Sequence, residues 1–345
     1  MPKITSIQCS SCSSKNIRKH SIQRNKQQII QRYFCKNCQK TFTLKQELKG
    51  KSYSTNIIIN AISYYNLGHT QSQIQKIISK KHKVSIPQKT ISNWINEFKT
   101  ITTFNKLRYK AKKRYLPENI IEAHEFLHNN LPYKFQIHNH KINTLTSNNE
   151  KFQRLKLYLE KIPNSQFPHH IFKPNHQFQD KLDRSSQTKF KTLNIRPLEK
   201  QNLANKLCSL ALNLAKTKKQ RHQTIQDFML TNDSVTIAAE IPIYLTHDDL
   251  SYFNARNFNL NPNDFKTPVT GHIDILQIRN NLIHILDYKP EASKVYPIRQ
   301  LSIYALALAS KTKLPLTSFK CAWFDENNYY EFFPLHVVKN KIKSI

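Results

Sequence analysis

Glycine is almost missing from this chain, with three in 345 residues: Gly50, Gly68 and Gly271. Together with an abundance of Asn, Ile, Lys, Tyr and Phe, that scarcity is what an AT-biased gene encodes, so part of the composition carries no functional message. Acidic residues are scarce as well, 22 Asp and Glu against 54 Lys and Arg, for a formal charge of +32. Base bias explains Lys over Arg but not the shortage of acids. A surplus this large points to a polyanionic partner, DNA or RNA by default. No apolar run approaches the roughly 20 residues that span a bilayer, and residues 1–30 hold no apolar core of a secretory signal. The expectation is a cytoplasmic protein (nucleoid-associated if prokaryotic) with no membrane partner. Six cysteines are present, and four fall in two C-x-x-C pairs. Without a secretion signal that pattern argues for metal binding and against a disulfide framework. Cys208 and Cys321 stand alone in apolar surroundings and read as core residues.

The two pairs are Cys9-Ser-Ser-Cys12 and Cys35-Lys-Asn-Cys38. Each places two thiolates on a tight knuckle, and four thiolates complete the tetrahedral shell of structural Zn²⁺. The intervening residues carry Lys15, Arg18, Lys19, Arg24, Lys26 and Arg32 and can form a hairpin. So small a segment cannot bury enough core, so the metal would supply its folding energy. The run Arg32-Tyr-Phe-Cys-Lys-Asn-Cys-Gln-Lys-Thr-Phe42 resembles the zinc ribbon at the N-terminus of many transposases.

Residues 53–99 read as three helices. Ser54 or Thr55 caps Ile57–Asn66, and Gly68 breaks it. Thr70 caps Gln71–Lys81, with Ile74, Ile77 and Ile78 on one face. A turn at Val84–Pro87 precedes a helix over about Gln88–Thr100, whose apolar face carries Ile91, Trp94, Ile95 and Phe98. This pattern resembles a helix-turn-helix. In that geometry Gln88, Lys89, Ser92 and Asn93 would face the DNA major groove. Residues 100–118 form a basic connector able to track phosphates. Residues 119–200 are the least readable. Leu131–Leu145 suggests strands and Phe152–Ile162 a helix. His124, His128, His169, His170 and His176 are scattered without ligand spacing, as surface histidines are.

From about residue 195, Leu203–Phe228 reads as one long helix. Val235–Leu245 reads as a strand holding Glu240 in an otherwise apolar run, which is costly unless the carboxylate is paired or binds metal. A polar loop, 246–268, follows. Two apolar runs, Ile273–Ile278 and Leu282–Leu286, flank the turn Arg279-Asn280-Asn281 and predict a hairpin. Asp287 and Lys289, two apart on a strand, share a face, and Asp274 can lie beside Asp287 on the neighbouring strand. Two carboxylates on adjacent strands suit Mg²⁺, and an adjacent lysine can orient or help activate water. Pro297–Lys311 reads as a helix that places Gln300 and Tyr304 on one face. Phe319–Phe324 reads as a closing strand.

Gly271-His272-Ile273-Asp274, Asp287-Tyr288-Lys289 and Gln300-Leu301-Ser302-Ile303-Tyr304 resemble, in order, the motifs of the PD-(D/E)xK nuclease superfamily and its RecB-type members. The nuclease resemblance covers roughly 200–325, and the resemblances to DNA-binding modules roughly 1–100. Together they imply an α+β multidomain chain: a zinc ribbon over 1–49, a helix-turn-helix over 50–104, a basic linker and middle segment over 105–194, and a nuclease domain over 195–345 with an αβββαβ restriction-endonuclease-like core. They further imply a Mg²⁺- or Mn²⁺-dependent deoxyribonuclease acting on DNA, of the kind found in mobile elements or defence systems. Asp274 and Asp287 would hold the metal, with Glu240 acting directly or through water. Lys289 would orient or deprotonate the attacking water, Gln300 and Tyr304 would brace the site, and His222 matches a histidine of the family's first helix. A double-strand break needs two active sites, so a homodimer is an expectation. The competing readings are a transcription regulator with an inactive nuclease fold, an RNase-H-like transposase, and an RNA-processing nuclease.

Overall fold

A computed structural model describes residues 7–9, 11–25, 28–43, 51–128, 130–147, 149–173, 184–265 and 268–338. Lys26 and His176 lie outside the described residues. The chain is mixed α and β and divides into two compact units, residues 1–65 with 69–97, and 66–68 with 98–345.

The first unit holds three strands, β1 (Ile17–Asn25), β2 (Gln28–Cys35) and β3 (Thr41–Thr43), paired antiparallel in that order. Three helices follow: α1 (Thr55–Asn66), α2 (Gln71–His82) and α3 (Gln88–Phe98). Thr70 closes a capping box at α2, its hydroxyl accepting from the Gln73 amide while the Gln73 side chain accepts from the Thr70 amide. Two of the helix's orphan donors are thereby satisfied. At the other end Lys83 takes the left-handed conformation (φ 55°) and its amide donates to Ser79, a turn chemistry usually left to glycine. Ile74, Ile78, Ile91 and Trp94 are buried, as the 3.6-residue spacing requires.

The second unit opens with α4 (Asn105–Arg114), in the stretch that the sequence presents as a solvated connector. Its charges hide a helical register: Ala111 is buried, and the Arg108 guanidinium donates to the Gly68 carbonyl at 3.1 Å. Strands β4 (Ile121–His128) and β5 (Leu131–His138) form an antiparallel pair. The strand expected to run on to Leu145 stops at His138, whose ring caps α5 (Asn139–Thr146). After α6 (Glu150–Lys161) come β6 (Leu198–Glu199), α7 (Leu203–Leu212) and α8 (Arg221–Asn232). The single long helix read from the leucine spacing is therefore two. The Asn213 amide folds back onto the carbonyls of Ser209 and Leu210 and ends α7.

The core continues with β7 (Thr236–Leu245), α9 (His247–Asn254), β8 (Val269–Arg279), β9 (Leu282–Tyr288), α10 (Ile298–Thr312), β10 (Phe319–Phe324) and β11 (Tyr329–Phe332). The stretch 246–268, read as a loop, thus contains α9, started by a Thr246–Asp249 capping box. One eight-stranded mixed sheet runs β4-β5-β7-β8-β9-β10-β11-β6. The segment left apart by the sequence accordingly supplies the sheet's edge pair, with Gln136 and Ile137 of β5 paired to Ala239 and Ala238 of β7. Strands β9 and β10 are parallel, and α10 makes the crossover between them. Ile273, Ile275, Leu276, Ile283, Ile285 and Leu286 are all buried; each such side chain contributes about 1.5–3 kcal/mol. Asn280 and Asn281, at φ 50° and 57°, form the two-residue turn that matches the twist of a tight hairpin. That turn fixes the register of β8 on β9 and so places every acid on them.

Candidate active site and metal centre

Register brings the acids of three strands into one row. Ala239 pairs with Ile275 and Ile241 with Ile273, which sets Glu240 opposite Asp274. Ile275 pairs with Leu286, and one step further sets Asp274 opposite Asp287. Adjacent strands lie about 4.8 Å apart, so three carboxylates crowd together, from the middle of β7 and β8 and the C-terminal end of β9. Glu240 adopts a left-handed backbone (φ 52°) within β7, a conformation that costs a non-glycine residue about 1–3 kcal/mol.

Each acid has its own partners. The Lys289 ammonium lies 2.8 Å from Asp287, which is buried. Asp274 accepts from the Tyr288 amide at 3.1 Å and lies 3.5 Å from His222 Nδ1 on α8. Glu240 accepts from the Gln226 side chain at 2.7 Å. Burial, and then the Asp274 charge, push Glu240 up to about 7. Asp287 is raised well above the carboxylate range by burial and by Asp274, with Lys289 opposing. For Asp274 burial acts upward too, but His222, Asp287 and Lys289 together outweigh it and hold the group low. Lys289 is desolvated, yet Asp287 holds it above the ordinary lysine value; the lysine therefore stays an ammonium. Gln300 and Tyr304 bond to each other at 2.7 Å.

A cleft of about 210 Å³ opens beside this row, lined among others by Arg184, Ser185, Glu240, Asp274, Gln300 and Tyr304. Gly271 lies in its wall because nothing larger fits. A Cβ there would come within 2.7 Å of both Ser185 Oγ and Tyr304 Cε1. The sequence gives no hint of Arg184 and Ser185, which reach the site through a turn docked on β8 from far away in the chain.

Three histidines are linked to one another, and one of them, His272, lines the cleft. The sequence presents His128 and His169 as surface residues, but His128 is buried, with its Nδ1 2.7 Å from His272 Nε2 and its Nε2 3.3 Å from His169 Nδ1. His169 Nε2 lies 2.9 Å from the Ile162 carbonyl. Because that carbonyl only accepts, the bonding pattern assigns Nε2–H to each ring in turn. One imidazole cannot turn both nitrogens to a single ion, so the trio is a hydrogen-bonded relay and not a metal shell. Tyr133 stacks on His272 at 3.7 Å.

In the first unit the ligand sulfurs of Cys9, Cys12, Cys35 and Cys38 all lie within 4.8 Å of one another, with Cys9–Cys38 and Cys12–Cys35 at 3.5 Å. A tetrahedron with Zn–S bonds of about 2.3 Å has edges of about 3.8 Å, so the four can hold a metal such as zinc. Backbone donors of the knuckles favour thiolate: Ser11 first for Cys9, and Cys38 first for Cys35, which falls to about 6. Among the described residues this is the one group of three or more ligands so closely drawn; Glu240, Asp274 and Asp287 are not. On α3, Gln88, Lys89 and Asn93 are exposed and Ser92 is half-buried. Among the described residues no helix is long and apolar enough to cross a membrane. No known protein family, curated protein or solved structure matches the chain.

Proposed function

We propose that this chain is a metal-dependent nuclease of the PD-(D/E)xK kind, hydrolysing phosphodiester bonds of DNA. The observation that carries the reading is the row Glu240, Asp274 and Asp287 across three adjacent strands with Lys289 on the last acid. Ionised together, the three carboxylates and one ammonium leave a local charge near −2, which a divalent cation neutralises. Their hard oxygens fit Mg²⁺ or Mn²⁺. Asp274 and Asp287 would hold that ion, and when bound it supplies Lewis acidity and charge neutralisation at the phosphate.

The protein's own groups do the rest. Glu240, with a proton affinity near neutrality, accepts the proton of the attacking water. Lys289 stays charged, orients that water and opposes the negative charge that develops on phosphorus. His222 holds Asp274 in its ionised form. Gln300 and Tyr304 brace the cleft wall. The cysteine cluster as a zinc ribbon and α2–α3 as a helix-turn-helix deliver the nuclease to DNA, with Gln88, Lys89, Ser92 and Asn93 toward the groove.

The test is plasmid cleavage with Mg²⁺ or Mn²⁺, comparing the unaltered protein with Asp287→Ala and Lys289→Ala at matched DNA occupancy. Cleavage should fall at least about 100-fold in both variants. DNA binding without cleavage by the unaltered protein under either metal transfers the reading to a transcription regulator with an inactive nuclease fold. Preferential cleavage of RNA transfers it to RNA processing.

A further inference from the structure

Arg184 combines a fixed backbone with a side chain that has no hydrogen-bond or ion-pair partner among the described residues. It bridges in parallel to Thr270 of β8, and the next amide, Ser185, donates to the Thr270 carbonyl at 3.0 Å. The Arg184 carbonyl accepts from the amides of Gln187 at 2.8 Å and Thr188 at 3.1 Å, and from the Thr188 hydroxyl at 3.2 Å. Ser185 and Thr188 are buried, and Ser185 packs so closely over Gly271 that no Cβ fits between them. This short turn is therefore welded to the strand that carries Asp274. Its arginine, in contrast, is exposed and lines the cleft, and among the described residues its guanidinium makes no ion pair or hydrogen bond. Glu240 and Asp274 line the same cleft, yet neither pairs with it: Glu240 is taken by Gln226, and Asp274 by Tyr288 and His222.

A guanidinium is a planar fork of donors that matches phosphate oxygens two at a time. Buttressing its backbone lowers the ordering cost of engaging an anion, and leaving it unpaired avoids having to break an internal bond first. The acids of the row repel a phosphate unless a cation intervenes, so a second, cationic contact on the cleft wall supplies attraction that the row lacks.

We propose that Arg184, held on β8 by the 184–188 turn, binds a backbone phosphate flanking the scissile one and so sets the strand's position in the cleft. The inference rests on the nuclease reading. Arg184 is a positioning residue. It touches a neighbouring phosphate and not the reacting atoms.

The experiment uses the full chain and short duplexes in which single phosphates near the cut are replaced by neutral methylphosphonates. Cleavage (kcat and KM separately) and binding by anisotropy in Mg²⁺-free buffer are measured for the unaltered protein, Arg184→Gln and Arg184→Lys. Loss of one charged, bidentate contact predicts a fall in kcat/KM of about 10- to 100-fold for Arg184→Gln, with binding weakened in the same direction and partial recovery in Arg184→Lys. On the duplex whose neutralised phosphate is the one contacted, Arg184→Gln should cost nothing further. Two results overturn the inference while the nuclease reading stands: undiminished cleavage by Arg184→Gln, or an equal loss on every methylphosphonate duplex, which marks a general structural effect. Absence of cleavage by the unaltered protein overturns the nuclease reading, and this inference with it.

Discussion

Glu240→Gln isolates the electrostatic cost of the acid row. The glutamine keeps the shape, and its Oε1 can still accept from Gln226, whose contact with Glu240 is 2.7 Å. What disappears is the charge. The folded-state pKa of Glu240 is raised, from the ordinary 4.5 to about 7, first by burial and then by Asp274. Between those values the folded chain holds a proton that the unfolded chain has released, so stability falls as pH rises through this window and levels off above it. At 1.36 kcal/mol per pH unit, the cost reaches about 3 kcal/mol by pH 8. Glu240→Gln should therefore match the unaltered protein near pH 4.5 and exceed it by about 3 kcal/mol at pH 8. For a unit of this size that is about 6–12 °C in Tm. The assay is thermal unfolding of the full chain at pH 5, 6, 7 and 8 in Mg²⁺-free buffer, without chelator so that any metal on the cysteine cluster is not stripped. If the row holds Mg²⁺ as proposed, added Mg²⁺ should narrow the gap at pH 8, because the ion would stabilise the row with the glutamate more than the row without it. Parallel stability curves from pH 5 to 8, or a variant less stable at pH 8, would falsify the reasoning.

Three further outcomes follow from single contacts. Lys141 is fully buried, and its ammonium donates to the carbonyls of Leu230, Asp233 and Thr236 at 2.5–2.9 Å; Lys141→Met should lower stability by about 3–5 kcal/mol by stranding those acceptors, read as a fall in Tm. Gly271→Ala forces a Cβ against Ser185 and Tyr304 at 2.7 Å and should cost about 1–3 kcal/mol by overpacking, with a loss of cleavage beyond what unfolding explains; an unchanged Tm and rate refute the tight approach. Cys35→Ser leaves three of the four thiolates clustered within 4.8 Å, and atomic absorption should show bound zinc falling from one per chain to a small fraction of that.

The parts of the fold legible in the sequence are those written in local chemistry. Asn280-Asn281 fixes a two-residue hairpin, because asparagine tolerates the left-handed backbone such a turn needs. The hairpin fixes register, and register puts Asp274 beside Asp287; the Asp287–Lys289 pairing follows from strand alternation alone. Thr70 and Gln73 announce the start of α2, and the two C-x-x-C pairs announce their cluster. What was hidden depends on contacts between distant segments. The break after α7 turns on one amide, that of Asn213, within a leucine-rich stretch. The relay of His128, His169 and His272 is assembled from three segments, with no spacing to betray it. Strands β4 and β5 read weakly because β4 is an edge strand whose residues are mostly exposed or half-buried, which blurs the alternation that marks a buried strand.

Glu240 lies between these cases, and the difference matters for chemistry. An acid inside TIAAEIPIYL is visible as an anomaly, and its cost alone suggests a partner. The sequence cannot show that β7 carries it through a left-handed backbone, opposite Asp274. The strain persists because strong pairing on both sides, Ala239 with Ile275 and Ile241 with Ile273, over-determines the conformation. Substituting glycine at 240 would relieve the backbone while removing the acid; substituting glutamine keeps the backbone cost and removes only the charge. The gain expected from Glu240→Gln is therefore purely electrostatic. If Glu240→Gly proves more stable still in Mg²⁺-free buffer, despite losing its side-chain contacts, the excess measures the backbone strain that this chain keeps in order to aim the carboxylate.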